Sequence, residues 1–186
     1  MKRIAILASG SGSNAENIIK TFAAEQDLDV ILVLSNNPEA GVIKRAHKLN
    51  VPTLVFSRRN FEKEVVEILQ ERKVDWVILA GFLWLVPASL IQAYPNRIIN
   101  IHPALLPKYG GKGMWGHHVH EAVVANKESH SGITIHYVNE KYDEGEIIFQ
   151  AKCALEEKET PESLAAKVHE LEYEHFPRVI AEEIRK

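Results

Sequence analysis

The sequence predicts an α/β protein: a doubly wound, mostly parallel sheet with a late antiparallel hairpin and a C-terminal helix. Three observations carry this reading. Short apolar runs alternate with segments of helical spacing as far as residue 101. The clearest of those runs, Ile4 to Ala8, is continuous, as expected for a strand covered on both faces. After residue 101 the pattern changes, and two strand-like segments follow each other with only a turn between them. At 186 residues and 21.0 kDa the chain reads as one domain over 1–186, long enough to bury a core without staples.

Taken in order, Ile4 to Ala8 is the first strand and Ser9 to Asn14 a glycine-serine loop. Ala15 to Ala24 has helical spacing, with Ile18, Ile19 and Phe22 on one side. Val30 to Leu34 is the second strand, closed by Ser35-Asn36-Asn37-Pro38. Gly41 to Leu49 reads as a helix, Thr53 to Phe56 as a short strand, Phe61 to Glu71 as a helix and Trp76 to Ala80 as a buried strand. Pro87 to Tyr94 is then a helix and Arg97 to Ile101 a strand. Strands alternating with helices imply a parallel sheet, and right-handed crossovers place helices on both faces. Ala104 to Trp115, with Pro107 and three glycines, is a loop, and His118 to Ala125 a short helix. Gly132 to Val138 alternates, which predicts a strand half exposed to a site, and Ile147 to Ala154 is its hairpin partner. Thr160-Pro161 opens the last helix as N-cap and first helical residue. Leu164, Val168, Leu171, His175, Val179 and Ile184 keep helical spacing there, and Pro177 predicts a kink.

Composition excludes several classes. The net charge is −3 and the pI about 6.3, so no basic field draws the chain to nucleic acid or an anionic membrane. A single cysteine, Cys153, rules out an intrachain disulfide and a multi-cysteine metal site. The N-terminus is basic and then apolar, but its five-residue run is too short for a secretory signal or a membrane span. A cytoplasmic location is expected.

The loop Ser9-Gly10-Ser11-Gly12-Ser13-Asn14 enters a helix. Free N–H groups and the positive end of the helix dipole make such an entry a phosphate site. Gly10-x-Gly12-x-x-Ala15 also matches the loose dinucleotide fingerprint. That fingerprint wants a carboxylate at the end of the second strand, where Ser35-Asn36-Asn37 stands instead. A mononucleotide or sugar phosphate therefore fits better, and a plain turn is the bland alternative. Further on, Asn100 and His102 leave the end of a predicted strand two residues apart, so both can point the same way. An amide donor beside an imidazole can stabilise developing oxygen charge and move a proton. Asp143, in the turn between the late strands, would set the tautomer of His102 if the fold brought the two together. Spacing does not decide that, and turn chemistry or strand capping would explain all three residues equally well.

Taken together, the glycine-serine-asparagine loop, Leu79-Ala80-Gly81-Phe82, the run Asn100-Ile101-His102-Pro103 to Leu105-Leu106-Pro107, and Asp143 carry a resemblance. From residue 3 to about 180 the chain resembles the phosphoribosylglycinamide formyltransferases, within the wider folate-dependent formyltransferase family. The resemblance implies a Rossmann-like formyltransferase fold, with a phosphate-binding half at about 1–99 and a folate and catalytic half at about 100–186. It implies transfer of a formyl group from 10-formyltetrahydrofolate to the amine of glycinamide ribonucleotide, in purine synthesis, with no metal. It implies His102 as proton donor and oxyanion stabiliser, Asn100 as donor to the formyl oxygen, and Asp143 as the group that polarises His102. By the same match Gly12, Ser13 and Asn14 cradle the phosphate and Glu172 binds the ribose hydroxyls. Arg58 lies near the folate, and Leu83, Trp84, Leu85 and Val86 with Asn139, Glu140, Lys141 and Tyr142 form the pterin segments. Thr134 and His136 support the triad from one strand face.

Two departures stand out. Leu83-Trp84-Leu85-Val86 replaces a commoner Met-Arg-Ile-Leu, so an aromatic stands where the family pattern has a charge. The stretch from Tyr109 to His118 is longer than expected, and its glycines and Met114-Trp115 pair suggest a flap over the folate tail. Of nine histidines, five fall between residues 102 and 130. No acidic or cysteine ligand accompanies them at regular spacing, and His120 is assigned to shaping the site. Two readings compete with the transferase: a formyltetrahydrofolate hydrolase, and a non-enzymatic nucleotide-binding regulator. A monomer and a homodimer are equally compatible with the sequence.

Overall fold

The computed structural model describes residues 1–186. Seven strands form one sheet in the order β3-β2-β1-β4-β5-β6-β7. They are β1 Lys2–Leu7, β2 Leu28–Ser35, β3 Thr53–Val55, β4 Trp76–Leu79, β5 Ile98–His102, β6 His130–Tyr137 and β7 Ile147–Ala154. The first five are parallel; β6 runs antiparallel to β5, and β7 to β6. The helices are α1 Ser13–Phe22, α2 Gly41–Lys48, α3 Arg58–Phe61, α4 Glu64–Glu71, α5 Ala88–Ala93, α6 His117–Ala125 and α7 Pro161–Ile184.

The continuous apolar character of β1 has the expected cause. Ile4 and Ile6 enter a core of 30 buried residues shared with α1, α2, α6 and α7. Ala5 and Leu7 enter a second core of 15 residues shared with α3, α4 and α5. Alternate residues of one strand thus feed both faces of the sheet.

Two expectations are corrected. The helix expected over Phe61 to Glu71 is two helices, α3 and α4, broken at Glu62-Lys63. Phe61 and Val65 are both buried, and their i, i+4 spacing would bury them on an unbroken helix too, so periodicity carries no trace of the break. β6 is not half exposed: Ser131 to His136 are all buried. Helix α7 covers it, and Thr134 and His136 find partners inside, while the Ser131 hydroxyl is buried without one. Thr134 accepts from Leu106 N–H at 3.0 Å and donates to the Ala104 carbonyl at 2.7 Å. Helix α7 runs as one helix from Pro161 to Ile184 with Pro177 inside it. Proline removes the helical bond to the Tyr173 carbonyl, and that carbonyl accepts instead from Asn17 Nδ2 at 3.0 Å. The N-terminus of α7 is as expected, with Thr160 and Ser163 forming a reciprocal capping box and Pro161 at the first turn.

Gly12 makes the turn from β1 into α1 with φ +77°. A Cβ there would stand 2.4 Å from Val42 Cβ and 2.5 Å from Val42 Cα, on α2. Both the backbone angle and the α1–α2 contact therefore require glycine. Gly12→Ala is expected to destabilise the protein by about 2–4 kcal/mol, read as a lower denaturant midpoint at unchanged slope. A midpoint equal to that of the parent protein would show that α2 yields freely to the added methyl.

Candidate active site

A cavity of about 930 Å³ opens at the carboxyl ends of β1, β4 and β5. That size falls in the range of about 300–1,000 Å³ common for ligand clefts. Its position follows from topology. The chain leaves β1 toward β2 on one side, while β4 pairs on the other, so the loops after β1 and β4 diverge and leave a crevice. Ser11, Ser13 and Asn14 line it from the first loop, and Gly81, Phe82 and Leu83 from the second. Asn100, His102 and Pro103 come from β5 and its exit. Residues 111–117 and His120 form one wall, and α7 closes the other with Ala165, Val168, His169 and Glu172.

Ser9 ties the two loops together. Its hydroxyl donates to Asn36 Oδ1 at 2.7 Å and accepts from Leu83 N–H at 3.0 Å. Gly12 is the N-cap of α1, and no side chain caps that helix end. The first N–H groups of α1 therefore stay open beside the cavity. Asn14 Nδ2 donates to Glu172 Oε2 at 2.8 Å, joining the start of α1 to α7. His169 Nδ1 reaches the same Oε2 at 3.1 Å. The hydrogen bond to Glu172 raises the His169 pKa against the opposing effect of burial.

The centre of the cavity holds Asn100, His102 and Asp143. Asn100 and His102 share one face of β5, and Asp143 arrives from the β6–β7 connection. His102 Nδ1 lies 3.5 Å from Asp143 Oδ2. His102 Nε2 donates to the Tyr109 carbonyl at 2.7 Å. Burial pushes the His102 pKa down, while the Asp143 charge and the Tyr109 carbonyl act against that and do not cancel it. The ring is thus neutral near pH 7. For Asp143, burial works upward, but His136, His102 and the Gly111 N–H hold the carboxyl below its ordinary range. Gly111 N–H donates to Asp143 Oδ2 at 3.0 Å. Asp143 itself sits at φ +55°, a conformation non-glycine residues seldom take and one that recurs at functional sites.

His136 stands behind Asn100. Its Nδ1 lies 2.8 Å from the Tyr137 carbonyl and so carries the hydrogen. In the neutral ring Nε2 then accepts from Asn100 Nδ2 at 3.0 Å, and in the protonated ring its hydrogen faces Asp143 Oδ1 at 3.7 Å. This fixes the Asn100 amide and leaves its second N–H free for the cavity.

With that geometry in view, the family comparison is decisive. A model of the formyl transferase family matches residues 2–180. The chain belongs to the formyl transferase family. It is 36% identical to the phosphoribosylglycinamide formyltransferase of Bacillus subtilis, over 97% of this chain and 93% of that protein. It is 40% identical to the chloroplastic phosphoribosylglycinamide formyltransferase of Arabidopsis thaliana, over 96% of this chain. It spans 64% of that plant protein and 60% of its Vigna unguiculata counterpart, less than two thirds of either. The crystal structure of phosphoribosylglycinamide formyltransferase from Bacillus halodurans matches all of this chain and 96% of that one, with TM-score 0.91 at 37% identity.

In this formyl transferase the remaining candidates fall in three groups. Ser13, Asn14 and Glu172 line the main cavity, whereas Gly12 shapes the turn behind it. Trp84, Leu85 and Val86 face Asn139, Lys141 and Tyr142 across a second, smaller cavity of about 50 Å³. Asn100, His136 and Asp143 form its inner end, while Leu83 lines the larger cavity. Arg58 and Glu140 line neither cavity. Arg58 lies over the Trp84 ring, 4.5 Å from its centroid. Trp84 in turn belongs to an aromatic cluster with Phe56, Phe61 and Phe82. The aromatic that replaces the family's charged residue is thus a packed wall carrying a cation on its outer face. Thr134 is wholly buried and holds the Ala104–Leu106 segment in place, so its support is indirect. Residues 111–117 border the main cavity. His169 and Tyr109 were not singled out by sequence; an i, i+3 pairing with Glu172 was the only available signal for the first.

Proposed function

We propose that this formyl transferase moves the formyl group of 10-formyltetrahydrofolate to the amine of glycinamide ribonucleotide. The products are formylglycinamide ribonucleotide and tetrahydrofolate, in purine synthesis. The observation that carries the reading is that Asn100, His102 and Asp143 line one crevice together with an open helix N-terminus. An acyl-transfer centre and an anion site in one cavity suit a phosphorylated amine as acceptor.

In this reading the phosphate meets the N–H groups of Ser13 and Asn14, and Gly12 allows the close approach. Glu172 Oε2 is already bonded to Asn14 and His169, so Oε1 takes the ribose hydroxyls. The free N–H of Asn100 donates to the formyl oxygen as the amine attacks. The amine proton passes, through Asp143 or a water it holds, to Nδ1 of the neutral His102, and the imidazolium so formed gives it to the departing folate nitrogen. The proton lost by the amine thus equals the proton gained by the leaving group. A positioned acid–base group contributes about 10²–10⁴-fold, and one oxyanion donor about 10²–10³-fold.

The pterin is assigned to the smaller cavity between Leu83–Val86 and Asn139–Tyr142, with Arg58 and Glu140 on its periphery. At about 50 Å³ that cavity holds roughly one or two waters, so the two segments must part to admit a bicyclic ring. Residues 1–99 and 100–186 act as the phosphate-binding and folate halves of one domain, with Glu172 reaching across. The reading involves no metal, nucleic acid or membrane, and places a monomer or homodimer in the cytoplasm. No helix is long and apolar enough to cross a membrane.

The test is a spectrophotometric assay with 10-formyltetrahydrofolate, with and without glycinamide ribonucleotide. Folate product is expected only with the ribonucleotide. Equal product without it would make the chain a hydrolase, and no product in either case would favour a binding protein.

A further inference from the structure

The contact between His102 and the Tyr109 carbonyl has a chemical consequence. A carbonyl can only accept, so at 2.7 Å His102 Nε2 must carry a hydrogen. The lone pair of the neutral ring is then on Nδ1, the nitrogen that faces Asp143. We propose that Tyr109 is a positioning residue for the reaction: its carbonyl holds His102 in the Nε2–H tautomer, which makes Nδ1 the atom that gains and loses the proton, and its phenol anchors that carbonyl. The kinetic part of this proposal rests on the formyl-transfer reading; the tautomer does not.

The anchoring is explicit. The phenol donates to Glu128 Oε1 at 2.8 Å and accepts from Asn126 Nδ2 at 3.0 Å. Lys108 Nζ meets the same Glu128 oxygen at 3.0 Å. Asn126 and Glu128 follow the end of α6, outside the main cavity. The tyrosine ring packs against the larger core. These contacts hold the Tyr109 backbone at φ +58°, where an L side chain is seldom found. A strained backbone of this kind persists only when its surroundings over-determine it.

The same turn also grips the partner of His102. Gly111 N–H donates to Asp143 Oδ2 at 3.0 Å. Gly110, between them, passes so close that a Cβ would stand 2.5 Å from Leu106 Cδ2 and 3.3 Å from Asp143 Cβ. A carbonyl therefore orients the imidazole and an N–H orients the carboxylate, two residues apart on one strand of backbone. In nucleophile–base–orienter constellations a third group sets the tautomer of the base. Here a main-chain carbonyl fills that place, and Asp143 is left free to handle the proton.

The experiment is ¹⁵N–¹H NMR of the imidazoles in the ligand-free protein, joined to kinetics. His102 should show the Nε2–H tautomer alone when neutral. Tyr109→Phe keeps the packed ring and removes the hydroxyl. It should give a mixed tautomer signal and lower kcat by about 10–100-fold, with KM for both substrates held, as expected for a small misplacement of a reacting group. Glu128→Ala, should Tyr109→Phe not fold, is expected to give the same pair of changes. The double variant should add nothing, because both act through one bond. An unchanged His102 signal in both variants, or an Nδ1–H tautomer in the parent protein, would overturn the proposal. A parent protein without formyl transfer would overturn the functional reading, and the tautomer signal would then judge the positioning role by itself.

Discussion

His102→Ala is expected to lower turnover of formyl transfer by about 10²–10⁴-fold. The side chain is 5% exposed, is bonded through one nitrogen to Tyr109 and faces Asp143 with the other. No other group in the cavity is placed to replace it at that point. His136 has its Nδ1 committed to the Tyr137 carbonyl and its Nε2 to Asn100. His120 lines the same cavity, but its Nδ1 is buried without a partner and burial lowers its pKa. KM for the ribonucleotide should hold, because the contacts assigned to phosphate and ribose lie on α1 and α7. Steady-state kinetics and a direct binding measurement check both halves. Unchanged turnover would remove His102 from the mechanism, and lost binding would mean that the substitution collapses the cavity instead. Groups that act as one unit are not additive, so Asn100→Ala added to His102→Ala should cost little more.

The parts of the fold legible in the sequence are those whose cause is local. The runs Ile4 to Ala8 and Val30 to Leu34 fall within β1 and β2, extending past β1 by one residue, because a strand covered on both faces needs apolar residues at successive positions. Thr160-Pro161 marks the start of α7 because capping is written within four residues. Long-range satisfaction of polar groups is not written that way. The alternation of Ile133, Thr134, Ile135 and His136 has the look of a half-wet strand. Its polar members are instead paired with the Ala104–Leu106 segment and with Asn100, about thirty positions away in the chain.

The site divides along the same line. Asn100 and His102 are legible as a pair because β5 places alternate residues on one face. Asp143 lies 41 positions beyond His102 and becomes its neighbour only because β6 returns antiparallel to β5. The Asn14–Glu172 bond spans 158 positions and closes the cavity from two ends of the chain. Neither contact has a spacing signal; the family resemblance pointed to the His102–Asp143 pairing in advance, and to Asn14 and Glu172 only as separate contacts to a ligand. Trp84 shows the reverse case. Its departure from the family pattern was plain, but its meaning depended on Phe56, Phe61, Phe82 and Arg58 folding around it.

Asp143→Asn is expected to lower kcat by about 10²–10⁴-fold and to move the His102 titration further downward. The sign follows from the forces on the ring. Burial lowers its pKa, and the Asp143 charge is the larger of the two main influences that act against burial. Removing that charge leaves the Tyr109 carbonyl as the chief opposing contact, so the imidazolium becomes harder to form. In the parent protein His102 titrates below the ordinary histidine range and Asp143 below the ordinary carboxylate range. Between those two points Asp143 is ionised and His102 carries a proton. Above the His102 point the ring is neutral and can accept the proton passed from the amine. Activity should therefore fall as pH drops through the His102 point, and in the variant that acid limb should lie lower, beneath a much reduced plateau. Histidine NMR across the titration and the pH profile of kcat/KM read the same shift independently. An upward move of His102 in Asp143→Asn would mean that the carboxylate does not favour the imidazolium. The pair would then be two buried groups 3.5 Å apart without the electrostatic coupling that the proposed proton path requires.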